Sequence, residues 1–233
     1  MQPTFNPRVK ICCMGSLAEA RLAIAAGASA VGLVSAMPSG PGVISEDLIA
    51  EIARQLPPAV GSFLLTCQTD PHAIIEQQKR LRVNTIQICD RLEVCSYEVL
   101  RAALPGISIV QVVHVYGPES VAEAISIAPF VDGVLLDSGN QSLPVKELGG
   151  TGRTHDWNLS LQIREAIDVP LFLAGGLKAE NVADAITQVR PFGVDVCSGV
   201  RTDGKLDEGK LKSFFAAVNG VNDAIEALPS PVR

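Results

Sequence analysis

An eightfold alternation constrains the fold of this chain more than any other feature of its sequence. Short apolar runs, each about the length of a strand and rich in Val, Ile and Leu, alternate with longer segments of helical period. Continuous apolar runs are typical of parallel strands that are covered on both faces. The predicted strands span residues 9–12, 30–35, 59–66, 85–89, 107–115, 133–138, 170–175 and 193–198.

Eight helices are predicted between and after these strands, and several have recognisable ends. Ser45 is followed by two acidic residues, which suit the first turn of a helix because they complement its dipole. Asp70 can cap a helix with its side chain, and Pro71 suits the first helical position, so this pair indicates the start of a helix. Gly27 and Gly220 lie where helices are expected to stop. The predicted helices span residues 16–27, 45–55, 70–82, 96–103, 118–128, 157–166, 179–190 and 207–219.

The uniformity of these units favours one α/β domain, a single (β/α)₈ TIM barrel. The 233 residues are a normal length for such a barrel. A doubly wound open sheet of eight strands would produce the same alternation, but no dinucleotide fingerprint follows the first strand. We therefore predict a barrel domain over residues 1–220 and a short C-terminal tail over residues 221–233.

Composition and charge exclude several classes of function. The formal net charge is −6, whereas broad affinity for nucleic acid requires a basic surface that displaces counterions. No apolar run is long enough to cross a bilayer, and residues 1–10 do not resemble a leader. We expect a cytoplasmic monomer or homodimer with no nucleic-acid or membrane partner. Its six cysteines are expected to be thiols, because disulfides are rare in that compartment.

The predicted strand ends place reactive side chains at one edge of the barrel. In such barrels the active site forms at the C-terminal ends of the strands. We therefore expect thiols, an imidazole, a carboxylate and glycine-rich turns to meet there. The residues at or just after the strand ends are Cys12, Cys13, Ser35, Cys67, Cys89, His114, Asp137, Gly175, Gly176, Ser198 and Gly199.

Three glycine-rich loops predict a phosphate site. Glycines let backbone amides approach an anion, and helix N-termini favour negative charge. The loops after the seventh and eighth strands of such barrels frequently bind phosphate. The alternative is that these glycines only form flexible loops or tight turns. The candidate residues are Gly149, Gly150, Thr151, Gly152, Gly175, Gly176, Asp195, Ser198 and Gly199.

Asp137 and Cys12 are the candidate catalytic residues. A carboxyl group that ends an apolar strand loses hydration, which favours the protonated form of a general acid. A thiol becomes a competent base when a positive neighbour or a helix N-terminus stabilises its thiolate. The plainer alternatives are that Asp137 caps a helix or pairs with Arg153, and that Cys12 is a small core residue.

His114 is a candidate auxiliary residue, together with Gln87 and Arg153. An imidazole at a strand end can supply a second acid–base group or a phosphate donor. A lone histidine in this position more often forms a hydrogen bond with a loop, and that alternative stays open.

Several separated motifs resemble the phosphoribosylanthranilate isomerase family of tryptophan biosynthesis. Residues 135–138 (LLDS) and 149–157 (GGTGRTHDW) are similar to the family's LLDS and GGTGKTFDW, with Arg for Lys and His for Phe. Residues 173–177 with 180–182 match another stretch, and residues 26–32 match a third. The resemblance covers nearly the whole chain, from residues 9–12 to residues 193–200, and implies an isomerase on a barrel.

This resemblance implies an Amadori rearrangement of N-(5-phosphoribosyl)anthranilate to the 1-deoxyribulose 5-phosphate product. Asp137 would protonate the ribose ring oxygen, and the iminium so formed would acidify the C2′ hydrogen. Cys12 would remove that hydrogen to give an enolamine that tautomerises to the product. No metal or cofactor is implied, because the substrate's own nitrogen is the electron sink. The loop of residues 149–152 would close over the sugar phosphate.

Three departures from the family pattern bear on the substrate. In residues 37–45 (MPSGPGVIS), glycine or proline occupies the position of the family's arginine, which grips the anthranilate carboxylate. Such a pair is strong and directional, so its absence should weaken or redirect recognition. In addition, residues 87–90 (QICD) replace QLHG, and residues 10–13 (KICC) replace KICG. The alternative function is therefore a diverged isomerase, epimerase or lyase that acts on another sugar phosphate.

A metal-binding or redox protein is the third hypothesis. Zinc sites usually contain close pairs such as C-x₂-C, which this sequence lacks. Cys12 and Cys13 are also expected to point to opposite sides of their strand, so that both cannot easily face one ion. The cysteines near predicted strand ends are Cys12, Cys13, Cys67, Cys89 and Cys197.

Overall fold

The computed structural model describes residues 7–140 and 143–226, and its strands begin and end close to the predicted apolar runs. The strands of the barrel are β1 (Arg8–Ile11), β2 (Ala30–Val34), β3 (Gly61–Thr66), β4 (Thr85–Ile88), β5 (Ser108–His114), β6 (Gly133–Asp137), β7 (Leu171–Leu173) and β8 (Gly193–Val196). They pair in chain order, all parallel, and β1 also pairs with β8. The sheet therefore closes on itself, and the predicted (β/α)₈ barrel is confirmed.

A helix follows each strand, and the predicted helix starts are confirmed at two positions. The Ser45 side chain accepts a hydrogen bond from Leu48 N, and that of Asp70 accepts one from His72 N. The helices are α1 (Leu17–Ala25), α2 (Glu46–Gln55), α3 (Pro71–Leu81), α4 (Val94–Ala103), α5 (Glu119–Ile127), α6 (Trp157–Ala166), α7 (Val182–Val189) and α8 (Glu208–Glu226). A small hairpin of β9 (Arg201–Thr202) and β10 (Lys205–Leu206) precedes α8. No helix in the described part of the chain is both long and apolar enough to cross a membrane.

The predicted stop at Gly220 is wrong, because α8 continues through it to Glu226. Phe214, Val218 and Val221 are all buried and form one continuous apolar stripe along the helix. Burial of this stripe outweighs the low helix propensity of a single glycine. The division into a barrel and a tail stays a prediction, since residues 227–233 lie outside the described part.

The barrel strands bury side chains on both faces, which explains their continuous apolar runs. One set packs outward against the helices, and the other fills the inside of the barrel. Inside, the rings of Phe63 and Phe172 meet edge to face, with their centroids 5.8 Å apart. The inner set includes Ala30, Val34, Phe63, Leu65, Val110, Val112, Leu135, Phe172 and Ala174.

Candidate active site

A cavity opens at the C-terminal ends of the barrel strands. The predicted convergence of polar side chains and glycine-rich turns therefore has a definite location. The predicted residues that line this cavity are Cys12, Cys13, Gln87, Cys89, Asp137, Gly149, Gly150, Thr151, Gly152, Gly175, Gly176, Asp195 and Ser198.

Asp137 ends β6 and turns its carboxylate towards the glycine-rich loop between β6 and α6. Its Oδ1 atom accepts a hydrogen bond from the Ser138 amide at 2.7 Å. Its Oδ2 atom lies so close to Gly149 that a Cβ at that position would be 2.8 Å away. Gly149 also has a φ of 141°, in the region that favours glycine. The loop can therefore cover the carboxylate only with glycine at this position.

Arg153 is not the partner of Asp137. Its guanidinium forms an ion pair with Glu147 in the same loop, and its side chain is more than half exposed. The alternative in which Asp137 serves Arg153 is therefore wrong. Arg153 does not line the cavity, so its predicted auxiliary role has no geometric support here.

Cys12 directly follows β1, and its amide donates to the Val196 carbonyl at 2.8 Å. Its thiol is nearly buried and packs against Gly32 of β2, where a Cβ would be 2.8 Å from the sulfur. Gly32 thus provides the space that the Cys12 side chain occupies.

The prediction that Cys12 and Cys13 point apart is wrong. β1 ends at Ile11, and Cys13 adopts a left-handed backbone conformation with a φ of 63°. The turn brings the two sulfurs together, and Cys13 Sγ donates to Cys12 Sγ at 3.7 Å. The alternation of side chains applies only within a strand, and here the strand has already ended.

A buried ion pair lies inside the barrel next to the Cys12 position. Lys10 of β1 faces Asp195 of β8 in the strand register, and Lys10 Nζ is 2.9 Å from Asp195 Oδ1. Burial tends to lower the pKa of Lys10, but the Asp195 carboxylate and the nearby thiols of Cys12 and Cys13 outweigh it and raise that pKa. The ammonium group is thus held in its charged form beside Cys12.

This pair changes the interpretation of Asp195 and adds a residue that the sequence analysis missed. Asp195 lines the cavity as predicted, but its carboxylate binds Lys10, which suits it poorly for phosphate. The signal for Lys10 was available in the sequence, because a lysine inside an apolar strand needs a buried partner.

The glycine-rich loops after β6, β7 and β8 meet at one side of the cavity. Gly152, Gly176 and Ser198 line both the cavity and an adjoining hollow that extends to Gly199 and Lys210. Gly199 approaches the preceding loop so closely that a Cβ would be 2.0 Å from the Leu177 carbonyl oxygen. This corner combines exposed backbone amides with a hydroxyl group, as a phosphate site requires.

The loop between β2 and α2 lies across the loop between β6 and α6 and helps to cover the cavity. Ser39 Oγ donates to the Lys146 carbonyl at 2.6 Å, and a Cβ at Gly150 would be 2.4 Å from Pro41 Cδ. Where the family has its arginine, in residues 37–45, this chain instead forms a contact between two loops. Nothing local in the sequence indicated this contact, which joins residues more than a hundred positions apart.

The changed QICD segment also contacts the covering loop. Asp90 follows β4, and its Oδ2 atom is 2.6 Å from Lys146 Nζ. Gln87 of the same segment lines the cavity, and its buried Oε1 atom has no hydrogen-bond partner within the described residues. Gln87 therefore presents a free acceptor to whatever occupies the cavity.

Three other predicted strand-end side chains bind neighbouring backbone and do not line the cavity. Ser35 Oγ donates to the Leu65 carbonyl, and Cys67 Sγ to the Ala36 carbonyl. His114 is buried, with Nε2 3.2 Å from the Cys89 carbonyl, as expected of a histidine that binds a loop. Within the described residues, no cluster of three or more His, Cys, Asp or Glu is arranged to hold a metal ion.

Comparison with known proteins places this geometry in a family. The profile of the family described as N-(5'phosphoribosyl)anthranilate (PRA) isomerase matches residues 9–217. The chain belongs to this family. It is 33% identical to N-(5'-phosphoribosyl)anthranilate isomerase 1 of Methanosarcina mazei, over 95% of this chain and 99% of that one. It is 32% identical to the Haloferax volcanii enzyme, over 94% of this chain and 96% of that one.

Solved structures of the family superpose on the barrel. Phosphoribosyl anthranilate isomerase from Thermotoga maritima matches with a TM-score of 0.79 and 32% identity, over 92% of this chain and 99% of that one. A family structure in complex with reduced 1-(o-carboxyphenylamino)-1-deoxyribulose 5-phosphate matches with a TM-score of 0.77, 30% identity and the same coverage. The barrel is thus that of a phosphoribosylanthranilate isomerase relative.

Proposed function

We propose that this protein is a phosphoribosylanthranilate isomerase, an aldose–ketose isomerase (intramolecular oxidoreductase) of tryptophan biosynthesis. The observation that carries the proposal is the placement of Cys12 and Asp137 in one cavity beside three glycine-rich loops. A chain of this family with an acid, a base and an anion site in one cavity has what the rearrangement requires. These relatives give no support to a diverged enzyme on another sugar phosphate.

Asp137 acts as the general acid in this proposal. The Ser138 amide holds Oδ1, and Oδ2 faces the loop that would lie over the sugar. Transfer of the Asp137 proton to the ribose ring oxygen lets the C1′–O bond break while the nitrogen lone pair forms the C1′=N iminium. The ring opens without a cofactor, because the electrons move within the substrate.

Cys12 acts as the general base, with Lys10 as its positive neighbour. The thiolate removes the C2′ hydrogen, which the iminium has made acidic, and the electron pair forms the C1′=C2′ bond of an enolamine. Tautomerisation then gives the C2′ ketone, so substrate and product are isomers.

Backbone amides around Gly152, Gly176 and Gly199, together with the Ser198 hydroxyl, would hold the phosphate. Asp195 is left out of this set because it binds Lys10. Gln87 would accept a hydrogen bond from a hydroxyl or amine of the substrate. We further propose a cytoplasmic monomer or homodimer, which light scattering on the purified protein would test.

Turnover of phosphoribosylanthranilate by two single variants tests these roles. We expect Cys12→Ser and Asp137→Asn each to lower kcat by about 10²–10⁴, because each removes one proton transfer. Cys95→Ser and Asp168→Asn, at exposed positions outside the cavity, are the matched controls and should keep wild-type rates. A wild type no faster than either active-site variant would refute the proposal.

A further inference from the structure

We propose that Cys13 and Cys197 form a thiol pair that a peroxide converts into a disulfide at the edge of the active-site cavity. The isomerisation described above uses only Cys12, and it leaves these two thiols without a role. The inference rests on the proposed function for its effect on activity, but the formation of the disulfide does not depend on it.

The two thiols lie at neighbouring strand ends. Ile11 of β1 is opposite Val196 of β8, so Cys13 and Cys197 lie in the two turns that immediately follow this pairing. The Cys13 thiol interacts electrostatically with that of Cys197, and its sulfur donates hydrogen bonds to Cys12 Sγ at 3.7 Å and to the Pro41 carbonyl at 3.6 Å. Continued by one residue, that register puts Cys12 opposite Cys197, and Cys13 is the next residue in the turn. Neighbouring strands are about 4.8 Å apart, which is within the range of about 4.4–6.8 Å between Cα atoms that disulfides usually join. The positions are therefore suited to a covalent link.

A small oxidant has access to this pair from two directions. Cys13 and Cys197 line the main cavity, and both also line a separate groove on the outer side of the turn. Cys13 is nearly buried, whereas Cys197 is only partly buried. Cys197 is thus the thiol that a peroxide meets first.

Arg201 makes Cys197 electrostatically different from the other thiols. Its guanidinium donates to the carbonyls of Cys12 and Cys13, so a positive charge lies against the turn. The pKa of Cys197 is lowered by its interaction with the Cys13 thiol, and the charge of Arg201 acts in the same direction. Burial instead raises the pKa of Cys67 and of Cys89.

The chemistry follows from these positions in two balanced steps. The Cys197 thiol attacks one oxygen of hydrogen peroxide, the O–O bond breaks, and sulfenic acid and one water form. The Cys13 thiol then attacks the Cys197 sulfur, and the S–S bond forms as a second water leaves. Two thiols lose two hydrogens in total, and the peroxide is reduced to two waters.

This disulfide would stop isomerisation without modifying the general base. Forming it withdraws the Cys13 thiol from Cys12 Sγ and links the turn that carries Cys12 to the turn that follows β8. A dithiol reductant would restore both. The enzyme would therefore lose activity reversibly when peroxide is present.

Mass spectrometry of the peroxide-treated full-length protein tests the link directly. After free thiols are blocked, we expect a species lacking two hydrogens, with the Cys13 and Cys197 peptides joined. Cys12 is adjacent to Cys13 but takes no part in the proposed disulfide, so the same link should form in Cys12→Ser. It should be absent from Cys13→Ser and from Cys197→Ser, and present in the control Cys95→Ser, whose thiol lies on α4.

Activity measured on the same samples completes the test. We expect the wild type and Cys95→Ser to lose about tenfold or more of their rate and to regain it with dithiothreitol. A Cys12–Cys13 link, oxidation to sulfinic or sulfonic acids alone, or unmodified protein would each overturn the proposal. Because the mass readout needs no substrate, failure of the proposed isomerase activity would be recognised separately.

Discussion

Single residues make room for the proposed catalytic groups, and Gly32 shows how narrow that room is. A Cβ at position 32 would be 2.8 Å from Cys12 Sγ and 3.1 Å from Cys12 Cα. The second contact is with backbone, which a change of side-chain rotamer cannot relieve. The position of the proposed base therefore depends on a glycine in the neighbouring strand.

We expect Gly32→Ala to lower kcat by about 10–100-fold, because displacing a reacting group by a fraction of an ångström is costly. Steady-state kinetics with phosphoribosylanthranilate would measure the change. Gly220→Ala is the matched control, since nothing lies within 4 Å of a Cβ there, and it should keep the wild-type kcat. An unchanged kcat in Gly32→Ala would show that Cys12 needs no such space.

His155 gives stability a dependence on pH. Burial lowers its pKa below the ordinary 6.5, although Asp137 and Asp156 act in the opposite direction. The folded protein therefore binds fewer protons at this site than the unfolded chain does. The stability that neutral His155 contributes is present above about pH 6.5 and is lost as the pH falls below it.

We expect the free energy of unfolding to fall less steeply between about pH 7.5 and 5.5 in His155→Gln than in the wild type. Urea denaturation at several pH values would measure the slopes. Glutamine retains a group that can bind Ser160 Oγ, which His155 Nε2 meets at 2.8 Å. His72→Gln, at an exposed position, should keep the wild-type slope. Equal slopes for all three proteins would contradict the assignment.

At the scale of elements, one ion pair connects the end of β4 to the loop that covers the site. Lys146 Nζ meets the Asp90 carboxylate, whose side chain is only 10% exposed. The same loop contributes the glycines beside Asp137 and the phosphate corner. Removing the lysine leaves a largely buried carboxylate unpaired and frees the loop.

We expect Lys146→Gln to raise KM for phosphoribosylanthranilate about 3- to 10-fold while kcat changes little, since the loop contributes to binding more than to proton transfer. Lys79→Gln removes a lysine from an exposed pair with Glu76 and should leave KM unchanged. Equal KM values in the two variants would show that substrate binding does not depend on the Lys146–Asp90 ion pair.

At the scale of the whole molecule, the barrel closes where the first and last units meet. Arg201, after β8, binds Glu19 of α1 with an Nη2–Oε2 distance of 3.1 Å and also binds the turn that follows β1. Its side chain is only 8% exposed. Glu19 in turn accepts hydrogen bonds from the amides of Gly15 and Leu206.

We expect Arg201→Gln to lower the free energy of unfolding by about 3 kcal/mol, because it leaves a partly buried carboxylate without its charge partner. Urea denaturation would show the loss. Lys212→Gln, which breaks an exposed pair with Glu208 on α8, should cost less than about 1 kcal/mol. Equal stabilities of the two variants would contradict a structural role for Arg201 at this closure.

Much of the fold was predictable because it depends on local patterns. The apolar runs and capping residues such as Ser45 and Asp70 act over a few positions, so strands and helices were located within a few residues of their observed ends. The helix end at Gly220 was not predictable in this way, because burial of Val221 against distant residues decided it.

The order of strands and turns along the chain favoured a parallel barrel over an open sheet, and within a barrel it predicted that Cys12 and Asp137 lie at the same end. Tertiary structure alone decided which groups contact one another there: Lys10 with Asp195, Cys13 with the Pro41 carbonyl, and Lys146 with Asp90. These pairs join residues far apart in sequence, and their energies depend on distance and burial, which no local pattern encodes.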